Sequence, residues 1–487
     1  MTAVLDAVVP DTSGTASWWS RLAFLRERGM GASILVAALS SAFGVLLLSA
    51  TGYIGALIAA DPYLGDSGLA VAVISILGGI LLLLALYVAA IVTANTFSTI
   101  VAGRTRRIAL MRLIGATARS QRAEVATQGL VVGAVGAAAG LIAGLGIAAA
   151  GVAIGSRALG DVGYDVAQAS LLVPAAVVVL TTWVAAWVGS RRVLTVTPLQ
   201  AIGGSVERQH GEFARPARSV AAVVLIALGV ILLGLGALIG MASPMGVLPA
   251  FVGGLVSFTG LVIGSTAIMP PLLRLVGRAF GGSAVARLAS ENALRYPERS
   301  SRMAIGVVIG VTLVTMFAVA AETAQALMIS TADAAGYPQE RMAVLDNFAI
   351  VMMVLVGVSA VIAAVGLVNL LTIGIVQRRR ELGLLRALGL SNDQIRRMVL
   401  LEAAHITLTS LVFGLVLGVA YGWAGAQSVL GSVPLQLGIS AFVVTPAIPW
   451  LTIGGIVAAA AVLTLVAAVT PTRLATRVAP VEALAGD

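Results

Sequence analysis

The stretch RTRRIALMRLIGATARSQR at residues 104–122 recurs at residues 378–396 as RRRELGLLRALGLSNDQIR. Each copy contains arginines and leucines followed by a glycine. Two residues after the glycine comes a threonine or serine, which are residues that favour the start of a helix. The aligned identities are Arg104/Arg378, Arg106/Arg380, Leu110/Leu384, Arg112/Arg386, Gly115/Gly389 and Arg122/Arg396. The pattern predicts a short amphipathic helix, a turn at the glycine, and a second helix capped by Thr117 or Ser391.

The match continues on both sides of this repeated segment. Asn95 aligns with Asn369 before it, and Gly140, Gly144 and Gly151 align with Gly414, Gly418 and Gly425 after it. A second pairing, at a slightly larger shift, aligns residues 191–202 with 473–484. An internal repeat of this length predicts two similar units in the same orientation. The spacing of the glycines also allows close helix packing.

The composition is typical of a membrane protein. Of 487 residues, 59% are hydrophobic and 10% are charged, whereas soluble domains are about 25% charged. Ten apolar stretches reach the length of about 20 residues that a spanning helix needs. They lie at 31–59, 69–102, 126–155, 171–190, 219–241, 248–276, 303–327, 347–377, 403–430 and 448–471.

The expected fold class is therefore an all-α polytopic membrane protein with ten transmembrane helices in a 4+2+4 arrangement. Two parallel four-helix repeats are joined by two extra helices. The predicted segments are a cytoplasmic N-terminus with an elbow helix (1–30), the first unit (31–202), a cytoplasmic linker (203–218), linking helices 5 and 6 (219–277), a cytoplasmic elbow segment (278–302) and the second unit (303–484). Each elbow is equally well explained as an ordinary amphipathic flank.

The arginines predict the orientation of these spans. If the N-terminus lies inside, 28 of the 30 basic residues, all arginines, lie on the cytoplasmic side, leaving Arg157 and Arg341 outside. Because cytoplasmic loops retain basic residues, both termini are expected in the cytoplasm. A single arginine cluster is also explained as a membrane-anchoring flank. The net charge of +9 follows from this topology, and no nucleic-acid partner is inferred from it.

Missing residue types exclude several kinds of site. The chain contains no lysine, no cysteine and two histidines, His210 and His405. A Walker A phosphate loop requires lysine, so the chain cannot bind ATP through a P-loop of its own. Thiolate catalysis and the usual zinc ligand sets are excluded as well. The chain is therefore not expected to be an enzyme or to hold a cofactor or metal.

A membrane protein needs no structured helix-turn-helix merely to connect two spans. Its repetition at equivalent places in both halves favours two docking surfaces for two copies of a cytoplasmic partner. The alternative is an interfacial helix that rests on anionic lipid.

Three motifs resemble the signatures of one family. The stretch RRELGLLRALGLSNDQIRR at 379–397 resembles the hallmark of FtsX-like ABC transporter permeases, the type VII or MacB/Lol/Bce superfamily. The stretches ARLASENALRYPER at 286–299 and ATRVAPVEAL at 475–484 are similar to its other two signatures. The whole chain resembles the ten-span form found in Bce-type antimicrobial-peptide systems.

The resemblance implies that the two repeated segments are coupling helices, each docked on a separate ABC ATPase subunit that binds ATP and Mg. The residues carried over are Arg106, Leu110, Arg112 and Gly115 in the first copy and Arg380, Glu381, Leu384, Arg386 and Gly389 in the second. The first copy departs from the pattern at Arg107, which replaces the usual glutamate. The loops 60–68 and 328–346 are short where relatives carry a large extracytoplasmic domain.

The implied function is a permease subunit in a bacterial cytoplasmic membrane. By mechanotransmission it exports or extracts a hydrophobic or amphipathic substrate, such as an antimicrobial peptide, a lipid or a drug. The alternative is a scaffold that passes ATPase motion to a sensor kinase or cell-wall enzyme without transport. A secondary transporter with parallel repeats is disfavoured, because the strongest repeat match is cytoplasmic rather than at the midplane.

Polar residues inside the apolar stretches are further candidates, because intramembrane ionisable groups are often functional. Asn95 and Asn369 are expected to form interhelical hydrogen bonds between the halves. Glu322, Glu402 and His405 are either functional or close enough to an interface to be solvated.

Overall fold

The computed structural model describes residues 30–60, 105–159, 163–191, 216–278, 284–295, 297–334, 389–433 and 443–476, with isolated helical positions between 79 and 101. Within these residues the regular secondary structure is helical and contains no strand. The helices are α1 Met30–Ala60, α2 Thr105–Leu113, α3 Ala118–Leu159, α4 Leu172–Gly189, α5 Pro216–Gly240, α6 Val247–Gly277, α7 Ala284–Arg295, α8 Pro297–Ala334, α9 Asn392–Leu430 and α10 Trp450–Thr476.

Seven stretches in the described part of the chain are long and apolar enough to cross a membrane. They are Ser33–Tyr53, Ala118–Arg157, Ala169–Gly189, Arg218–Gly240, Pro244–Gly277, Ser300–Leu327 and Asn392–Leu430. α10 contributes a shorter apolar helix, Trp450–Val462. The all-α, multi-pass character is thus confirmed. The ten-span 4+2+4 count stays a prediction, because 347–377 and most of 69–102 lie outside the described residues.

Three helices, α3, α8 and α9, extend well beyond their predicted apolar spans, and two of them, α3 and α9, start at the repeated segments. α3 has 42 residues and α9 has 39, and each begins directly after a turn of the repeated segment. At 1.5 Å per residue both reach about 60 Å, twice the hydrocarbon thickness of a bilayer. Each of these helices is therefore continuous from the repeated segment outside the hydrocarbon layer to the membrane interior.

The two units pack their helices in the same way. In the first unit α1 packs on α3, and in the second α8 packs on α9. The closest approaches are Gly140 to Ala38 and Ser41, Gly144 to Ala42 and Val45, Gly414 to Val308 and Val311, and Gly418 to Thr312 and Thr315. The four partners in α8 lie at one constant offset from their counterparts in α1. The repeat seen in sequence is therefore a repeat of helix contacts.

The glycine prediction is correct for two of the three aligned pairs. A Cβ atom at Gly151 or Gly425 would meet nothing within 4 Å, so these two positions do not mediate close packing among the described residues. Gly136 in the first unit and Gly422 in the second extend the contact stripe by one helical turn instead. The spacing of four residues keeps each stripe on one helix face.

The linking helices α5 and α6 pack directly against helices of the second unit. α5 and α6 pack as a hairpin, and α6 contacts α7, α8 and α9. The largest apolar cluster joins α1, α6, α8 and α9 through residues that include Phe43, Phe258, Ile309 and Leu411. α8 is the most buried of the seven spans. This shared core holds the first helix of the first unit against the second unit.

Candidate coupling sites

The first repeated segment folds as the predicted helix, turn and helix. α2 ends at Leu113, and Gly115 has a φ of +105°, which L-residues rarely adopt. The Ala116 amide donates to the Met111 carbonyl at 2.9 Å, and the Gly115 amide donates to the Arg112 carbonyl at 3.2 Å. These two bonds form a Schellman motif, which satisfies carbonyls at the end of a helix.

The second segment has a turn at the aligned position. Gly389 has a φ of +96°. Ser391 caps α9 through a reciprocal pair: the Gln394 amide donates to Ser391 Oγ at 3.2 Å, and the Ser391 amide donates to Gln394 Oε1 at 2.9 Å. Thr117 caps α3 in the first copy, accepting at Oγ1 from the Ser120 amide at 3.1 Å. The turns and caps expected from sequence are confirmed in both copies.

α2 presents one buried and one exposed apolar face. Ile108 and Ala109 are buried in a cluster with Met30 of α1, Phe97, and Val125 of α3. The exposed side chains are Leu110, Met111, Leu113 and Ile114, the last of which is 80% exposed. Single exposed apolar residues are ordinary, whereas a contiguous set marks an interaction surface. One face of α2 therefore packs on the bundle, and the apolar side chains of its other face are exposed.

The structure describes some of the predicted docking residues. Leu110 is exposed, Arg112 is half-buried, and Gly115 and Gly389 form the turns. Arg106 lies within α2, but its side chain is outside the described residues, as are Arg380, Glu381, Leu384 and Arg386 altogether. The docking role of this set stays a prediction.

α9 begins against the elbow segment of the second unit. Ile395, Met398 and Val399 form a buried cluster with Ala289 of α7. α7 ends at Arg295 and α8 begins at Pro297, in keeping with the preference of proline for the first helical turn. The helix that follows the second turn therefore rests on the elbow helix rather than on lipid alone.

Glu402 and His405 link α9 to two neighbouring helices. Asn292 of α7 donates through Nδ2 to Glu402 Oε2 at 2.8 Å, and Glu402 is 3% exposed. His405 is fully buried, and its Nε2 donates to the Leu273 carbonyl of α6 at 2.8 Å. The expectation that these groups are solvated near an interface is therefore wrong. Their partners are distant in sequence, which is why the surrounding apolar run did not reveal them.

Of the remaining predicted polar residues, the structure describes one. Glu322 is exposed, in agreement with solvation, and Asn95 and Asn369 lie outside the described residues. Sequence reasoning missed a hydrogen bond between Tyr87 and Thr259 of α6, whose oxygens are 2.7 Å apart. It also missed a bond between Ser257 of α6 and Tyr421 of α9, at 2.9 Å. The polar pair at 257 and 259 within an apolar span was the available signal.

Comparison with known proteins agrees with the repeat. Residues 79–198 and 353–480, together just over half of the chain, match the FtsX-like permease C-terminal family. The starts of the two matches differ by the shift of the repeated segment, and their ends differ by the larger shift of the second pairing. The chain belongs to the FtsX-like permease family. In this FtsX-like permease both turns, at Gly115 and Gly389, lie inside the matched ranges.

Curated relatives of this FtsX-like permease are ABC transporter permeases. YtrF of Bacillus subtilis is 36% identical over 66 residues, 13% of this chain and 15% of that protein. The uncharacterized permease YknZ of the same species is 26% identical over 128 residues, 26% and 29% of the two chains. A probable export ATP-binding/permease protein of Pseudomonas fluorescens is 28% identical over 144 residues, 29% and 20%. The chain matches less than a third of the length of each.

Proposed function

We propose that this chain is the permease subunit of an ABC transporter in a bacterial cytoplasmic membrane, driven by two copies of a separate ATPase subunit. The observation that carries the proposal is the pair of turns at Gly115 and Gly389, which share a positive φ and occupy equivalent positions of the repeat. One ATPase subunit docks on each repeated segment. These 487 residues contain no lysine and therefore no P-loop, so the proposal places nucleotide binding in a partner subunit.

The packing behind the turns supports mechanotransmission. In the first copy, Ile108 and Ala109 belong to one buried cluster with residues of α1, α3 and α4, so movement of α2 would be transmitted to that cluster. In the second, α9 continues from the turn at Gly389 and is bonded to α7 and α6 through Glu402 and His405. Close-packed helices transmit displacement with little compression. ATP-driven approach of the partner subunits would therefore move both units together.

The proposed substrate class follows from the apolar spans and the short predicted outer loops of the chain. A chain made of apolar spans with short predicted outer loops suits a substrate that already resides in the bilayer, namely a lipid, an amphipathic antimicrobial peptide or a hydrophobic drug. The word export in the name of the Pseudomonas fluorescens relative supports outward transport.

The docking proposal is tested by counting ATPase subunits on the purified permease. The tagged chain is isolated from its native cells, a co-purifying protein with a Walker A motif is identified, and its copy number is measured by native mass spectrometry. We expect two copies. Arg386→Glu with Leu384→Asp should remove one copy, Arg112→Glu with Leu110→Asp should remove one, and the combination should remove both.

A matched control uses Arg157→Glu, an exposed arginine at the opposite end of α3, which should keep two copies. The proposal fails if no ATPase co-purifies, or if the docking variants and the control bind it equally. Transport is then tested with the complex in vesicles by titrating ATPase activity with cationic amphipathic peptides and lipids. Stimulation by none of them would favour the signalling scaffold.

A further inference from the structure

An open groove of about 710 Å³ lies between the start of α3 and the end of α4. Arg119 and Arg122 line it from α3, and Trp183 and Trp187 line it from α4. Ala123 and Ala126, which have small side chains, also line the groove. Arg119 follows the turn at Gly115 by four residues, but the groove shares none of the residues assigned to ATPase docking.

Arg122 is held in a fixed position at this groove. Its Nε and Nη2 atoms donate to the Trp187 carbonyl at 3.3 and 3.0 Å, and its guanidinium carbon is 3.8 Å from the centre of the Trp187 ring. That carbonyl lies in the last turn of α4, where helical carbonyls lack intrahelical donors. A planar guanidinium with five N–H groups has donors left after these bonds. Within the described residues those donors make no hydrogen bond.

Among the residues with described placement, Arg119 has no contact that explains its position. It is exposed in the first turn of α3, where a cation is unfavourable with the helix dipole. It makes no hydrogen bond or ion pair within the described part of the chain. The nearby Glu124 does not line the groove, and its carboxylate accepts from Gln121 Nε2 at 3.5 Å. Among the residues that the structure describes, the groove is therefore positively charged without an internal counterion.

The opposite wall of the groove is apolar and continues along the span. Trp183 and Trp187 are 41% and 44% exposed. The same helix exposes Leu172, Val173, Leu180 and Val184. An exposed apolar face on a membrane span contacts lipid tails, and tryptophans collect where tails meet headgroups. The groove thus combines a cationic end with an apolar surface.

The repeat shows that this combination is not shared by both coupling sites. The shift of the repeated segment places Asp393 at the position of Arg119, and the larger shift of the second pairing places Leu465 and Val469 at those of Trp183 and Trp187. A function common to both units, such as ATPase docking, does not require the arginine and tryptophan set. The groove therefore serves something specific to the first unit.

We propose that this groove binds one anionic phospholipid of the adjacent leaflet. The lipid phosphate accepts hydrogen bonds from Arg119 and Arg122, and an acyl chain lies along Trp183 and the apolar face of α4. Arginine suits a phosphate because its planar donor fork matches the phosphate oxygens. The proposal goes beyond the proposed function and does not depend on it, because no ATPase takes part in the binding.

The experiment measures lipid retention by the permease alone. The full chain is reconstituted in nanodiscs of phosphatidylcholine and phosphatidylglycerol in equal parts, released in mild detergent, and examined by native mass spectrometry. Wild-type protein should retain one phosphatidylglycerol in preference to phosphatidylcholine. Arg119→Gln with Arg122→Gln should lower this retention on the order of 25-fold, since each arginine near anionic lipid contributes about fivefold.

The second unit supplies a matched control. Arg396 and Arg397 are exposed arginines near the start of α9, and changing both to glutamine should leave retention unchanged. The single variant Arg119→Gln, which breaks no internal hydrogen bond of the described structure, should lower retention about fivefold even if the double variant misfolds.

Four results would overturn the proposal. The first is equal retention by the wild type and Arg119→Gln, and the second is an equal loss in the Arg396 and Arg397 control. The third is displacement of the lipid by millimolar inorganic phosphate, which would indicate a free-anion site. If the double variant kept its lipid but lost a co-purifying ATPase, the groove would belong to the protein interface instead.

Discussion

Asn292 on α7 donates a hydrogen bond to the buried carboxylate of Glu402 on α9, with 2.8 Å between Nδ2 and Oε2. Asn292 belongs to the segment 286–299 that resembles a family signature, and Glu402 lies within the helix that follows Gly389. The bond therefore connects the elbow helix of the second unit to the helix that leaves its coupling segment. It gives the signature asparagine a structural role that its place in the sequence did not indicate.

Replacing Asn292 with alanine should destabilise the second unit. Removing one partner of a buried hydrogen bond costs about 1–3 kcal/mol, and the variant leaves Glu402 without the Asn292 donor at a buried site. We expect a lower midpoint of thermal unfolding in detergent. Glu291→Ala, at the exposed neighbouring position of α7, is the control and should leave the midpoint unchanged. Equal midpoints for Asn292→Ala and the wild type would show that the bond is not stabilising.

Alanine at Gly115 or Gly389 should disturb the corresponding turn. Positive φ values cost an L-residue about 1–2 kcal/mol, and the backbone can relieve that strain by leaving the turn. Each variant should bind one ATPase subunit fewer in the copy-number measurement. Gly151→Ala is the control, because its added methyl group meets none of the described residues within 4 Å and alanine favours helices over glycine. Unchanged copy number in both turn variants would remove the turns from the docking site.

The glycine stripe predicts a graded effect on stability. A Cβ atom at Gly140 overlaps the Ala38 carbonyl oxygen, which is backbone and cannot rotate away. At Gly414 the nearest atom is Cβ of Val311, 2.9 Å away. Gly140→Ala should therefore lose about 1–3 kcal/mol, and Gly414→Ala should lose less.

Denaturant unfolding in mixed micelles measures this ranking. Gly425→Ala provides the reference, since no residue of the described part of the chain lies within 4 Å of its added methyl group. If Gly140→Ala proved as stable as Gly425→Ala, the close contact between α1 and α3 would be contradicted.

Tyr87→Phe should weaken the attachment of the linking helix α6. The change removes the bonds from the tyrosine hydroxyl to Thr259 Oγ1 and to the Leu255 carbonyl, and it leaves the ring against Phe258. We expect a loss of about 1 kcal/mol in unfolding free energy. A double-mutant cycle with Thr259→Val measures the pairwise part. Fully additive effects would show that the two hydroxyls do not interact.

The parts of the structure predicted well are those decided by nearby residues. A turn needs a residue that tolerates positive φ, so glycine at 115 and 389 and a hydroxyl shortly after it locate both breaks. Apolar length in the same way located the spans now seen as α1, α4, α5 and α6. Helix ends were less well placed where a helix leaves the membrane, because polar residues continue α3 and α9 without any change in backbone preference.

Long-range partners could not be predicted in this way. Solvation was the expectation for Glu402 and His405 because their neighbours in sequence carry no information about α7 and α6. These two helices supply the hydrogen-bond partners of the buried side chains. Gly151 and Gly425 looked like packing positions because they align as well as Gly140 and Gly414 do, yet no described residue lies within 4 Å of a Cβ atom at either position. Alignment records equivalence between units, and it does not record which face of a helix meets a neighbour.

The amino-acid sequence established a repeated, arginine-flanked membrane protein that lacks the lysine of a P-loop, because composition and periodicity are properties of the chain before it folds. The tertiary structure decided which groups those repeats bring together: the two matching helix pairs, the buried bond from Asn292 to Glu402, and a groove where Arg122 stacks on Trp187. Contacts between residues so distant in sequence depend on helix orientation and packing, and these are set only when the whole bundle assembles.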